Sequence, residues 1–134
     1  MKGFTLLELL VVLTILAVAS GGVVLALRGN EEQHIQREAQ RLVAMLEAAR
    51  AESRASGVAI RWQAENSGFA FSSQTETHTW LHPGTRVSAE STTLVLGPEP
   101  IIPPQRLTLS LGQHSLHIAT DGLSPFAVVW HAAP

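Results

Sequence analysis

Between Lys2 and Arg28 runs an apolar segment whose only formal charge is that of Glu8. From Phe4 to Leu27 it holds about 24 residues. As a helix that is roughly 36 Å long, at about 1.5 Å per residue. A bilayer core is about 30 Å thick, so the segment is long enough to span it. A carboxylate inside such a helix costs about 2.5–3.5 kcal/mol on insertion scales. Either Glu8 lies near enough to the interface to reach water, or it meets a cation supplied by another subunit. If it stays in lipid, a buried carboxylate needs a positive partner.

This N-terminus differs from an ordinary secretory signal. Its basic region is a single lysine, Lys2, and no small-residue cleavage site follows the apolar run. Lys2 favours a cytoplasmic N-terminus, although Arg28 at the other end opposes it. The body of the chain is then expected outside the cytoplasm. Gly21-Gly22 lies within the span. It is either tolerated there or lets another helix approach closely.

Taking the span from the 134 residues leaves enough chain for one small domain. The net charge of -2 gives no global basic field for nucleic acid. There is no cysteine, which rules out a disulfide framework, a thiol nucleophile and a cysteine-based zinc site.

From Glu31 to about Ser56 the pattern is helical. Ile35, Ala39, Leu42, Leu46 and Ala49 recur at three- and four-residue steps and share one face. Glu32, Arg37, Glu38, Arg41, Glu47, Arg50 and Arg54 are expected mostly on the other side. Glu38 with Arg41 and Glu47 with Arg50 are favourable neighbours, and Arg50 with Arg54 a repulsive pair. Arg28-Gly29-Asn30 marks the membrane exit and a candidate kink or break, after which Asn30 and Glu31-Glu32 suit a new helix start. Gly57 is a natural stop. The narrow stripe predicts a helix that lays one face on a sheet.

Beyond Gly57 the period becomes two. Val58, Ile60 and Trp62 alternate with polar or small residues, Glu65 to Gly68 reads as a turn, and Phe69 and Phe71 alternate again. Short strands are expected over 78–81, 85–89 and 92–96. The segment 97–104 carries four prolines and is expected to be a loop. Leu107, Leu109 and Leu111 form one strand, Leu116 and Ile118 another, and 126–130 the last. The fold class is α+β: a long N-terminal helix, hydrophobic and then amphipathic, packed on an antiparallel sheet or sandwich head. The organisation is 1–3 leader, 4–28 membrane and assembly helix, 29–57 amphipathic helix, and 58–134 β-rich head.

Six histidines raise the question of a metal. His78 and His82 are separated by a strand and turn. His114 and His117 stand three apart in a strand, which sends them to opposite faces. They are expected to be exposed turn and strand residues, and no metal or other cofactor is expected. Asp121 is the only aspartate, too little for a calcium site. No nucleophile motif or phosphate loop is present, so no catalytic residues are expected and the chain is not expected to be an enzyme. Trp62, Trp80, Trp130, Phe69, Phe71 and Phe126 could form a base-stacking platform, but the arginines are dispersed and many stand beside glutamates. Core and rim packing is the expectation for these rings.

Lys2-Gly3-Phe4-Thr5-Leu6-Leu7-Glu8-Leu9 resembles the processing site of type IV pilins and type II secretion pseudopilins. The resemblance implies that a prepilin peptidase cuts after Gly3 and that Phe4 becomes the N-methylated first residue. It also implies that Glu8 pairs with the N-terminal ammonium of a neighbouring subunit. Ala39-x-x-Leu42, then Ala48 to Ser53 and Gly57 to Ile60, look like the helix exit of H-type minor pseudopilins and T-type minor pilins. Thr120-Asp121-Gly122-Leu123-Ser124-Pro125-Phe126 looks like a segment of the H-type proteins in particular. The family usually carries more strand after this segment, which puts the last hairpin in question. The middle, about 62–119, is only loosely similar.

An H-type minor pseudopilin would sit at or near the tip of a periplasmic pseudopilus, anchored in the bacterial inner membrane. Its implied partners are the peptidase, the I-, J- and K-type minor subunits and the G-type major subunit, with no nucleic acid. The alternative is a T-type minor type IV pilin, serving pilus assembly or DNA uptake. That reading calls for a basic C-terminal stretch, whereas this chain ends neutral apart from His131.

Overall fold

A computed structural model describes residues 3–89 and 93–129. One helix, α1 (Leu6–Ser56), is followed by eight strands among these residues. They are β1 (Arg61–Glu65), β2 (Gly68–Phe71), β3 (Thr77–Thr79), β4 (Arg86–Ala89), β5 (Thr93–Val95), β6 (Gln105–Leu111), β7 (His114–Thr120) and β8 (Ala127–Val129). The arrangement is α+β, one long N-terminal helix followed by antiparallel sheets.

The candidate break at Gly29-Asn30 does not occur, and the hydrophobic and amphipathic stretches form one helix. α1 runs 51 residues without interruption. A single glycine costs about 1 kcal/mol in a helix interior and asparagine less. Neither removes a backbone donor as proline would, and the long flanks carry the helix across. Gly21-Gly22 is helical as well. The stop at Gly57 is as expected: it adopts φ 69° and donates its N–H to Ser53 O at 2.9 Å.

The two halves of α1 have different surroundings. Residues 6–26 are exposed along their whole length. Further on, Ile35, Ala39, Leu42, Leu46 and Ala49 are all buried. They pack against a sheet of order β4-β6-β7-β8. A second sheet, β3-β2-β1-β5, completes the head, and every pairing in both sheets is antiparallel. Trp62, Phe69, Phe71 and Leu94 from this sheet join Leu107, Leu109, Leu116 and Ile118 of the other in one core. The alternating burial along β6 and β7 is the period-two pattern read from their leucines.

Several boundaries move. The strand expected over 78–81 is Thr77–Thr79, and those over 85–89 and 92–96 shorten to β4 and β5. The final strand begins at Ala127; Trp130, like His131, lies outside the described residues. Val58 shares parity with buried Ile60 and Trp62, yet it is 62% exposed, because it directly follows the helix cap and precedes the first ladder pair. The segment 97–104 is a loop as expected.

Two charged residues read as solvent-facing are buried. Glu38 and Arg50 are 1% and 2% exposed. At about 100° per residue, Glu38 and Arg50 stand roughly 60° to either side of the apolar stripe, close enough to be covered by the head. Each has a partner of opposite sign one turn away: Arg41 Nη1 lies 2.9 Å from Glu38 Oε1, and Arg50 Nη1 lies 3.7 Å from Glu47 Oε1.

Candidate processing and assembly site

The N-terminal motif occupies the open end of α1. Thr5 is the N-cap: its backbone is extended at φ -80°, ψ 153°, and its hydroxyl accepts the Glu8 N–H at 3.2 Å. Leu9 N–H donates to Thr5 O at 3.1 Å. The threonine of the motif therefore has a local job, fixing where the helix starts, that its position in the sequence pattern alone did not reveal. Gly3 and Phe4 precede the cap outside the helix, and nothing packs within 4 Å of Gly3's Cβ position. Phe4 is 86% exposed. The Gly3–Phe4 peptide thus lies in non-helical, accessible chain, where a protease can bind it extended.

Glu8 is in the first helical turn and exposed. Its backbone serves the cap, but among the described residues its carboxylate has no hydrogen-bond or ion-pair partner. The position near the helix N-terminus suits a negative charge. The hydroxyls of the span are satisfied within it: Thr14 donates to Leu10 O at 2.8 Å and Ser20 to Leu16 O at 2.7 Å. That is the way a hydroxyl tolerates lipid. In the described part of the span, the Glu8 carboxylate is then the polar side-chain group left to be matched from outside the chain.

At the other end of α1, the Thr120–Phe126 segment docks onto the helix. Arg50 Nη2 donates to Gly122 O at 2.8 Å and to Pro100 O at 3.5 Å, and Nη1 donates to Ser124 O at 3.0 Å. Glu47 accepts the Phe126 N–H at 2.8 Å. The segment also braces itself. Asp121 accepts from Leu123 N–H and Ser124 N–H at 3.0 and 2.6 Å, and Thr120 Oγ1 donates to Ser124 O at 2.6 Å. The Ser124 N–H first, then the Leu123 N–H and the Ser124 hydroxyl, which donates to Asp121 at 3.1 Å, hold the Asp121 carboxyl below its ordinary value of 3.8. Gly122 sits at φ 94°, and a Cβ there would run into Ile102 O. Sequence reasoning identified the segment as a motif without a task. Its task here is structural, and it is held by Glu47 and Arg50 of α1, whose spacing marks them as a pair with each other but does not point to this remote backbone.

The histidines sit deeper than expected. His78 is half-buried and stacked on Phe69 at 5.3 Å between centroids, and His117 lies 2.9 Å from Thr108 Oγ1. His34 and His82 meet at 4.7 Å. No group of three or more metal-ligating side chains occurs among the described residues. Trp62, Phe69, Phe71 and Phe126 are buried in the core, and Trp80 packs on Phe69. Those rings form the head's interior rather than a stacking platform.

Residues 1–24 match the family model of the prokaryotic N-terminal methylation motif. Comparisons with curated proteins and with solved structures find no match. The motif, together with one long helix followed by antiparallel sheets, supports a type IV pilin-like or pseudopilin protein. It implies processing by a prepilin peptidase and assembly with other pilin-like subunits. Among the described residues one helix is long and apolar enough to cross a membrane, which fits a single-pass membrane-anchored protein.

Proposed function

We propose that the chain is an H-type minor pseudopilin of a bacterial type II secretion system. It is inserted in the inner membrane with its head in the periplasm, cut between Gly3 and Phe4, and methylated on Phe4. Glu8 then pairs with the N-terminal ammonium of an adjacent subunit as the helices bundle. The head stands at or near the tip of the pseudopilus among I-, J- and K-type subunits and above the G-type subunit. Its work is assembly and contact, not catalysis.

The observation that carries the reading is the methylation motif over residues 1–24, on a capped helix whose Glu8 carboxylate lacks a partner among the described residues. Support for the H-type assignment comes from the Thr120–Phe126 segment, which resembles that family and is bound to the helix through Arg50 and Glu47. Deleting the gene tests the reading when exoprotein in the medium and pilus function (twitching or DNA uptake) are measured in the same strain. Lost secretion with intact pili is the expected result. Intact secretion with lost pilus function would replace this reading by the T-type minor pilin.

A further inference from the structure

The β6–β7 turn sits beside the helix where the span meets the head. The turn between β6 and β7 closes against the helix at Glu31: a Cβ on Gly112, which has φ 60°, would lie 2.5–3.0 Å from the Glu31 carboxylate. The positive φ of this turn is what glycine supplies, and the turn lies beside the end of the Glu31 side chain. Glu31 is four residues past Leu27, the last apolar residue of the span. Four residues of helix rise about 6 Å. The headgroup layer on each side of a bilayer is roughly 5–7 Å deep. Helical side chains also lean toward the N-terminus, here toward the membrane.

Next to this turn lie the other groups at the same end of the head. The Gly84 Cβ position is 3.8 Å from Leu111 Cδ1. His34 on α1 contacts His82 in the loop before β4, and His82 Nδ1 lies 2.8 Å from Pro83 O. Gln113, Pro83 and Gly84 are exposed, and His34, His82 and His114 are half-buried. The charges nearby are of both signs: Glu31, Glu32 and Arg37 along the helix sequence, with Glu65 and Arg86 lining the cleft that His82 also lines. A polar rim of mixed sign and hydrogen-bonding side chains matches a phospholipid headgroup layer, which carries phosphate, ammonium and ester oxygens together.

We infer that the base of the head, formed by the Gly112-Gln113 turn and the His34–His82 contact, docks into the phospholipid headgroups of the leaflet from which α1 emerges. This rests on the membrane-anchored reading of the span and adds to it a second, interfacial attachment. With no flexible stalk between the two, the head is held at a set height, and a subunit entering a filament must lift this base off the lipid. The opposite end is far away: Arg50, which holds Leu123's segment, is 19 residues beyond Glu31, about 28 Å along the helix.

The chain has no cysteine, so a single introduced one takes a single spin label. Gln113→Cys, Leu123→Cys and Leu16→Cys are prepared in the full-length chain, labelled, and placed in phosphatidylethanolamine vesicles containing phosphatidylglycerol. Collisions with a water-soluble nickel chelate and with oxygen report depth. The Leu16 label is expected in the lipid core, the Leu123 label in water, and the Gln113 label several-fold less accessible to nickel than Leu123. A Gln113 label as accessible as Leu123, with Leu16 in lipid, overturns the docking and leaves the anchor standing. A Leu16 label in water overturns both. Gln113→Ser labelled at Ser115→Cys repeats the measurement two residues along the chain, and must give the same order of depths.

Discussion

Arg50 and Gly122 are joined across 72 residues of chain by a buried 2.8 Å hydrogen bond from a guanidinium to a backbone carbonyl. The same guanidinium reaches Ser124 O at 3.0 Å. A planar fork can hold two carbonyls that a single ammonium cannot hold in the same way. The contact ties the last turn before β8 to the amphipathic half of α1, where the helix meets the head.

Arg50→Ala is therefore expected to destabilise the head by about 3 kcal/mol, since it strips charge-assisted bonds and leaves carbonyls buried without donors. Arg50→Lys should cost less than alanine and more than nothing. Urea unfolding of the detergent-solubilised chain checks the order. An Arg50→Ala variant as stable as the parent would refute the structural role of the contact.

Glu38 performs the matching task on the other flank of the helix. One oxygen accepts from Arg41 at 2.9 Å and the other from Leu81 N–H at 2.6 Å, while Arg41 also donates to Thr79 O at 3.1 Å. Together they satisfy the outer edge of β3 and the residues after it. Glu38→Ala should cost about 2–3 kcal/mol, because the Leu81 N–H loses its acceptor, and Glu38→Gln about half as much. Hydrogen exchange at the Leu81 amide reads this directly: it should accelerate in the alanine variant while Gly122 and Ser124 stay protected.

The apolar half of this docking was readable in advance, and the polar half was not. Ile35, Ala39, Leu42, Leu46 and Ala49 announce their face by spacing alone, and the leucines of β6 and β7 do the same at period two. Glu38 and Arg50 carry no such mark, because what buries them is backbone 43 to 74 residues away in sequence. Periodicity sees neighbours on one element; it is blind to a carbonyl brought in by the fold. At Gly29 the sequence left a break open, and the structure closes it: a local propensity is outweighed by the long helical stretches on both sides. At the N-terminus, Glu8 stood out because a charge inside a long apolar run is rare, and Gly3 and Phe4 through the resemblance of the motif around it, although the capping by Thr5 emerged only with the backbone.

Gln105 closes the opposite edge of the same sheet. Its side-chain amide donates to Val95 O at 2.8 Å and accepts the Val95 N–H at 2.7 Å, as a neighbouring strand would. An open edge invites pairing with another chain. Gln105→Ala should lower stability by about 1–2 kcal/mol, the range of lost paired amide bonds, and raise aggregation on storage. Gln105→Glu keeps the acceptor but turns a carboxylate against Val95 O, so its loss at neutral pH should exceed that of alanine. Equal stability of parent and Gln105→Glu at neutral pH would contradict the amide pairing.

Asp121 makes the Thr120–Phe126 segment sensitive to acid. Its pKa is lowered in the fold by the Ser124 and Leu123 N–H groups and the Ser124 hydroxyl. A group with a lowered folded pKa contributes its stability above its unfolded value and loses it as pH falls through the folded one. The loss therefore begins below the ordinary value of 3.8 and not near neutrality. Exchange at the Ser124 amide should rise above its intrinsic pH trend over that acid range in the parent. In Asp121→Ala that acid-dependent rise should be absent, with less protection already at neutral pH. A parent whose Ser124 protection stays flat down through that range would show that the carboxylate does not hold the turn.

Gly3 and Glu8 separate two steps that both end in lost secretion under the proposed function. Gly3→Leu changes the residue before the proposed cut in the exposed chain ahead of Thr5; it should leave the full-length precursor in the membrane, visible as a larger band and as absence of N-methylphenylalanine by mass spectrometry. Glu8→Ala removes a carboxylate that has no partner among the described residues, so folding and cleavage should proceed. Taking a charge out of lipid even favours insertion of the isolated helix, by about 2.5–3.5 kcal/mol. The variant should therefore be anchored as well as the parent, or better, and yet assemble poorly, because nothing remains to pair with the neighbouring ammonium. A cleaved Glu8→Ala protein that restores full secretion to the deletion strain would end the pairing model while leaving the processing site intact.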